Sequence, residues 1–119
     1  MRACLIGSTA LFVAWAAMAA PASTALSPAE IQAAFFNGTP FNSQSGSVKY
    51  KMTYNANGKM MREPVGASGS KGEGTWKLNH DGFCSTWKGS KASCFRVLTA
   101  GDNKWSVVKG TTTAATWTK

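Results

Sequence analysis

A chain of 119 residues has room for one domain but not two, and at this size a hydrophobic core alone is thin, so a disulfide is a common supplement. Thirteen lysines and arginines face 5 acidic residues, a formal charge of +8. The lysines are dispersed rather than gathered in one run, which describes a solvated surface with weak attraction for lipid head groups, acidic polysaccharide or nucleic acid, not a dedicated basic tail.

Residues 1–25 read as an export leader. Met1-Arg2 supplies the positive start, an apolar run extends to Ala20, and small residues offer a signal peptidase cut after Ala22 or Ala25. Gly7, Ser8 and Thr9 interrupt the run, which argues against a transmembrane span. Cys4 leaves with the leader, and residues 26–119 are expected to form a single disulfide-linked β-domain in the periplasm or secreted.

A short amphipathic helix opens at Ser27-Pro28-Ala29-Glu30, where Ser27 and Glu30 form a capping box and proline suits the first helical position. Ile31 and Phe35 share its apolar face, Leu26 staples its entry, and Asn37-Gly38 stops it. From residue 47 the hydrophobic period becomes 2. Val48, Tyr50, Met52 and Tyr54 alternate with a lysine-bearing outer face, Asn57-Gly58 turns the chain, and residues 59–63 return as a partner strand. Residues 64–74 read as a flexible glycine loop without core residues. Strands are then expected at 75–79, 83–88, 93–99, 104–109 and 112–118. The predicted fold is mainly β, a small antiparallel meander that is barrel-like or strongly curved, with one N-terminal helix.

Register follows from the turns. A two-residue loop at Asp81-Gly82 sets Trp76 opposite Trp87 and Leu78 opposite Ser85. Pairing Cys84 with Cys94 sets Phe83 opposite Phe95, and a three-residue loop at 101–103 sets Val97 opposite Val107 and Thr99 opposite Trp105. These choices agree in placing Trp76, Leu78, Phe83, Trp87, Phe95, Val97, Trp105 and Val107 on one face. Cys84 and Cys94 then oppose each other on the other face, at a spacing that suits a disulfide. Leu98 and Val108 join them in an outer apolar patch, for the helix to cover through Ile31 and Phe35 or for a partner to use.

No catalytic set stands out. His80, the single histidine, sits beside Asp81 in a turn with no second ligand for a metal, and no cofactor is expected. The glycine loop lacks the Gly-Lys-Ser/Thr ending of a phosphate loop. Because the register assigns most tryptophans to the core, stacking on single-stranded nucleic acid has few candidates, and specific nucleic-acid binding is not expected. Candidate binding residues are Lys88 and Lys91 at a hairpin tip, Lys49 and Lys51 on the outer face of a strand, and Trp117 near the chain end.

Leu26-Ser27-Pro28-Ala29-Glu30-Ile31, Phe36-Asn37-Gly38-Thr39, Gly74-Thr75-Trp76 and Cys84-Ser85-Thr86-Trp87 before Cys94 resemble a family of small exported bacterial proteins of unknown function. That family has a Gly-Thr-Trp strand followed by a Cys…Trp…Cys element. The resemblance implies a periplasmic or secreted β-domain and carries no activity. The expected function is a non-enzymatic binding or interaction module of the cell envelope, its partner an anionic surface or ligand or an envelope protein. The alternative is an inhibitor of a secreted hydrolase that inserts residues 88–93 or 64–74.

Overall fold

The computed structural model describes residues 23–119; the expected leader up to residue 22, with Cys4, lies outside the described residues. One helix, α1 (Pro28–Phe35), precedes eight strands: β1 (Phe41–Ser45), β2 (Val48–Tyr54), β3 (Lys59–Pro64), β4 (Gly72–Leu78), β5 (Phe83–Trp87), β6 (Ser93–Thr99), β7 (Lys104–Lys109) and β8 (Thr112–Thr118). Each strand pairs with the next, and β1 also pairs with β8, closing an antiparallel barrel. A barrel of eight strands has an interior that side chains can fill or that one small ligand can share.

The strand that closes the barrel carries little strand signal. Phe41-Asn42-Ser43-Gln44-Ser45 has one good β-former. It is a strand because it has a partner on both sides, Met52 to Val48 along β2 and Thr118 to Thr116 along β8.

Side-chain alternation holds around the sheet. Phe83, Val97 and Val107 are buried, with Trp76, Leu78, Trp87, Phe95 and Trp105 packed against the same core. The β5–β6 and β6–β7 registers are those expected, with Cys84 opposite Cys94 and Val97 opposite Val107. The β4–β5 register differs: Trp76 lies opposite Ser85, Leu78 opposite Phe83, and Trp87 opposite Gly74. The turn is longer than two residues, closed by the Asn79 amide donating to the Gly82 carbonyl at 3.1 Å. A slip of two residues preserves which face each side chain occupies, so the core survives the correction. The glycine loop is also shorter than expected, since β4 begins at Gly72.

The helix does not cover the disulfide face. It enters one end of the barrel as a stopper. The capping box forms, with Ser27 Oγ accepting from the Glu30 amide at 3.2 Å and a Glu30 carboxylate oxygen accepting from the Ser27 amide at 3.0 Å. Those bonds hold the Glu30 carboxyl below its ordinary value. The helix is only 8 residues long, so packing rather than propensity must stabilise it. Ile31, Phe35 and Phe36 are all 0% exposed. The Phe35 ring lies 5.0 Å from Phe41 and 4.9 Å from both Trp105 and Trp117. The Phe36 ring lies 4.5 Å from Tyr54 and from Trp76, and 5.1 Å from Phe83. Trp117 is thereby corrected from a candidate surface residue to a core residue, 2% exposed.

Upstream of the helix the chain seals an edge. β5 pairs with β6 only along residues 93–95, which leaves the next stretch of β6 open. Residues 24–26 fill it: Ala25 bridges Leu98, the Leu26 amide donates to the Val97 carbonyl at 2.8 Å, and the Thr99 amide donates to the Thr24 carbonyl at 2.9 Å. An unpaired strand edge is a site for pairing with other chains, and this segment removes it.

Cys84 and Cys94 form a disulfide across β5 and β6, 10 residues apart in sequence. Closing a loop of this size stabilises a fold by about 3 kcal/mol through the unfolded chain. Cys84→Ala/Cys94→Ala is expected to lower the unfolding free energy by that amount, read as a lower urea midpoint with an unchanged fluorescence maximum in the folded state.

Candidate binding site at the open end of the barrel

The end away from the helix remains hollow. A cavity of about 130 Å³ lies inside the barrel, lined by Ser43, Tyr50, Arg62, Ser85 and Trp87, with Tyr54, Phe83 and Trp117 toward the stoppered end. Strand alternation brings these residues together from β1, β2, β3, β5 and β8. Ser43 and Ser85 are buried at 6% and 5% exposure.

Arg62 dominates the site. It lies opposite Met52 on β2 and Gly72 on β4. Because Gly72 has no side chain, Arg62 reaches across it toward β5. A Cβ at Gly72 would come within 2.9 Å of the Arg62 Nε and 3.3 Å of the Trp87 ring. The guanidinium carbon lies 5.0 Å from the centre of the Tyr50 ring and 4.5 Å from that of Trp87. Cation–π contacts of this kind stabilise by about 0.5–2 kcal/mol each. They do not replace hydrogen bonds, and the buried Nε has no partner.

No carboxylate neutralises this cation. Among the described residues the one ion pair is His80 with Asp81, at 3.7 Å. Burial pushes the Tyr54 phenol well above its ordinary value, against a smaller opposing pull from the Arg62 charge, so Tyr54 is a neutral hydroxyl and not a counter-ion. Arg62 is half-buried, and its buried Nε–H has no partner in the protein, a donor that an incoming anion would satisfy.

The same residue also borders the surface. Arg62 and Trp87 also line an outer groove with Ser70, Lys71, Glu73 and Lys88. They form the wall between groove and interior. The 65–71 loop packs beside the entrance, where Gly69, at φ +91°, leaves room for the Tyr50 hydroxyl; a Cβ there would lie 2.8 Å from it. This glycine fits the loop to the site, where sequence reading assigned only flexibility.

Of the residues singled out from sequence, Lys88 borders the groove. Lys91 is exposed further along the same turn. Lys49 and Lys51 point outward from β2; Lys49 lines a second depression with Asn42, Gln44, Lys104 and Thr116 that borders Ser43 and Tyr50 of the barrel site, and Lys51 lies opposite Glu63. None of these lysines enters the barrel. Arg62 and the two serines escaped sequence reading. The signal for Arg62 was present: Met60 and Arg62 share a strand face, and extending the Asn57-Gly58 hairpin places Arg62 opposite Met52 on the inward side.

His80 sits in the turn after β4, at the stoppered end, with its side chain 89% exposed. Ser43 and Ser85 thus have no imidazole beside them. No group of three or more potential metal ligands occurs among the described residues, and no helix among them is long and apolar enough to cross a membrane. Comparison with family models, curated proteins and solved structures finds no match.

Proposed function

We propose that this chain is an exported, non-enzymatic binding module of the cell envelope whose barrel receives an anionic ligand at its open end. The observation that carries this reading is Arg62, clasped between Tyr50 and Trp87 with its Nε unpartnered. A purely structural barrel has no need of a cation there, since an apolar side chain of similar volume commonly serves stability as well or better. In the outer groove Lys71 and Lys88 outnumber its one carboxylate, Glu73, and leave the approach to Arg62 net positive.

Export is supported by the leader and by the disulfide, a bond that persists in oxidising compartments. A cut after Ala22 fits the fold better than one after Ala25, because it leaves Thr24 and Ala25 to seal β6. The resemblance to exported bacterial proteins of unknown function agrees with this placement.

The test uses mature, oxidised protein and its Arg62→Met variant. Titration with benzoate, inorganic sulfate and polygalacturonate is expected to show at least one anion that binds the parent and loses affinity by at least tenfold in the variant. Methionine keeps a polarizable side chain beside the rings while giving up the two cation–π contacts, so the variant is expected to remain folded with a modestly lower melting temperature. Failure of all three anions to bind, or binding indifferent to the substitution, would overturn the proposal.

A further inference from the structure

We infer that the anion is a monocarboxylate bearing a compact apolar group, of the size of benzoate or a short branched-chain acid. This inference rests on the anion-binding reading of the barrel and adds the chemical class.

The orientation of Arg62 narrows the headgroup. Two rings lie against its guanidinium, which leaves recognition to the N–H groups at its edge, and the unpartnered Nε is one of them. A guanidinium edge presents parallel donors that match the two oxygens of a carboxylate. Charge narrows it again. Arg62 is the sole cation lining the interior, where its polar neighbours include the hydroxyl groups of Ser43, Ser85 and Tyr50. One cation compensates one negative charge; a dianion would bring a second charge into the barrel without a partner.

Volume and floor decide the rest of the ligand. The cavity measures about 130 Å³, a little below the roughly 150 Å³ that holds benzene, so it has room for a compact ring or branched end only, with the carboxylate at the Arg62 wall shared with the outer groove. Its apolar wall includes Phe83, Phe95, Val107 and Trp117. The helix closes the far end with Phe35 and Phe36, so a long alkyl chain has no path through the barrel. The ligand therefore sits with its carboxylate on Arg62 and its ring or branched end turned toward Phe83 and Trp117.

Calorimetry and tryptophan emission on the mature, oxidised protein test this with benzoate, 3-methylbutyrate, acetate, dodecanoate, benzamide and sulfate. Benzoate and 3-methylbutyrate are expected to bind at least about tenfold more tightly than acetate, since each buried methylene tightens binding by roughly fourfold. Benzamide, which keeps the ring and loses the charge, is expected to bind at least tenfold more weakly than benzoate. Arg62→Met should abolish benzoate binding. Ala115→Leu, which narrows the cavity, should weaken benzoate more than acetate, with circular dichroism confirming that both variants are folded. Sulfate binding more tightly than every carboxylate, in an Arg62-dependent way, would overturn the carboxylate class and leave the anion reading standing. Dodecanoate binding more tightly than benzoate would overturn the size limit. Absence of any Arg62-dependent anion would overturn both.

Discussion

Phe36→Ala is expected to lower the unfolding free energy by about 4 kcal/mol, the range for removing a buried phenylalanine whose surroundings cannot collapse. The reason for a value near the top of that range is the company this ring keeps. Phe36 is 0% exposed and sits stacked at 4.5 Å on Tyr54, tilted at 4.5 Å against Trp76 and edge-on at 5.1 Å to Phe83. Those three partners are fixed on β2, β4 and β5 of a closed sheet. A helix face in a bundle can shift to refill a void; the wall of a closed barrel cannot do so without breaking ladder hydrogen bonds. Since domains of this size have about 5–15 kcal/mol in total, one substitution should consume a large part of it. Urea denaturation followed by tryptophan emission reads the effect as a fall in midpoint. Met61→Ala, at a side chain 40% exposed on the outer face, should change stability by no more than about 0.5 kcal/mol. If the two variants unfold at similar urea concentrations, the helix is not the stopper of this barrel.

The stopper also explains why the helix was legible in sequence while its place was not. Ser27, Pro28 and Glu30 announce a helix start through local hydrogen bonds, and the capping box forms as expected. Nothing local says which surface Ile31 and Phe35 will meet. An outer patch at Cys84, Leu98 and Val108 offered itself because it was apolar, but the barrel interior offered aromatic contacts on several sides. The strands show the same division. Alternation fixed the inner face from Trp76 to Val107, because parity survives a two-residue error in a turn. The error at the 79–82 turn changed every cross-strand partner of Trp76 and Trp87 and moved neither to the other face.

β1 and Arg62 were harder for a related reason. Both are defined by what lies on either side of them in space. Asn42, Ser43 and Gln44 become strand residues only when β2 and β8 arrive to pair. Arg62 becomes a half-buried cation on the barrel wall only because Gly72, ten residues on, leaves the space its side chain crosses. Reading glycines as turns and loops misses this use. Gly72 and Gly74 face the interior of β4 and make room for Arg62 and for Met60. A glycine at an inward position opposite a long side chain is the sequence sign of such a site. The local rules fail where the barrel departs from a filled core, and that is where a binding site is expected.

Gly82→Ala is expected to destabilise the domain by at least about 3 kcal/mol, which for a chain of this size corresponds to a melting temperature lower by roughly 12–24 °C. Here the cause is a backbone collision. A Cβ on Gly82 would stand 2.0 Å from the carbonyl oxygen of Phe95, 3.0 Å from its carbon and 3.2 Å from the Arg96 Cα. Those are main-chain atoms, so no rotamer change relieves the contact. The neighbouring structure also resists separation. Phe83 is paired with Phe95, and the disulfide ties Cys84 to Cys94 one residue further along each strand. Residues 24–26 hold the other stretch of β6. The strands can admit the methyl group only by giving up pairing at the point where β5 leaves β6. Gly89 supplies the contrast: a Cβ there meets nothing within 4 Å, and only its φ of +83° opposes a side chain, at a cost of about 1–2 kcal/mol. The coupling to the disulfide gives a sharper measurement. In a Cys84→Ala/Cys94→Ala background the strands are freer to part, so Gly82→Ala should cost less than in the oxidised parent, a non-additivity of at least about 0.5 kcal/mol. Equal costs in the two backgrounds, or a Gly82→Ala protein melting within about 2 °C of the parent, would show that β5 and β6 do not approach this closely in solution.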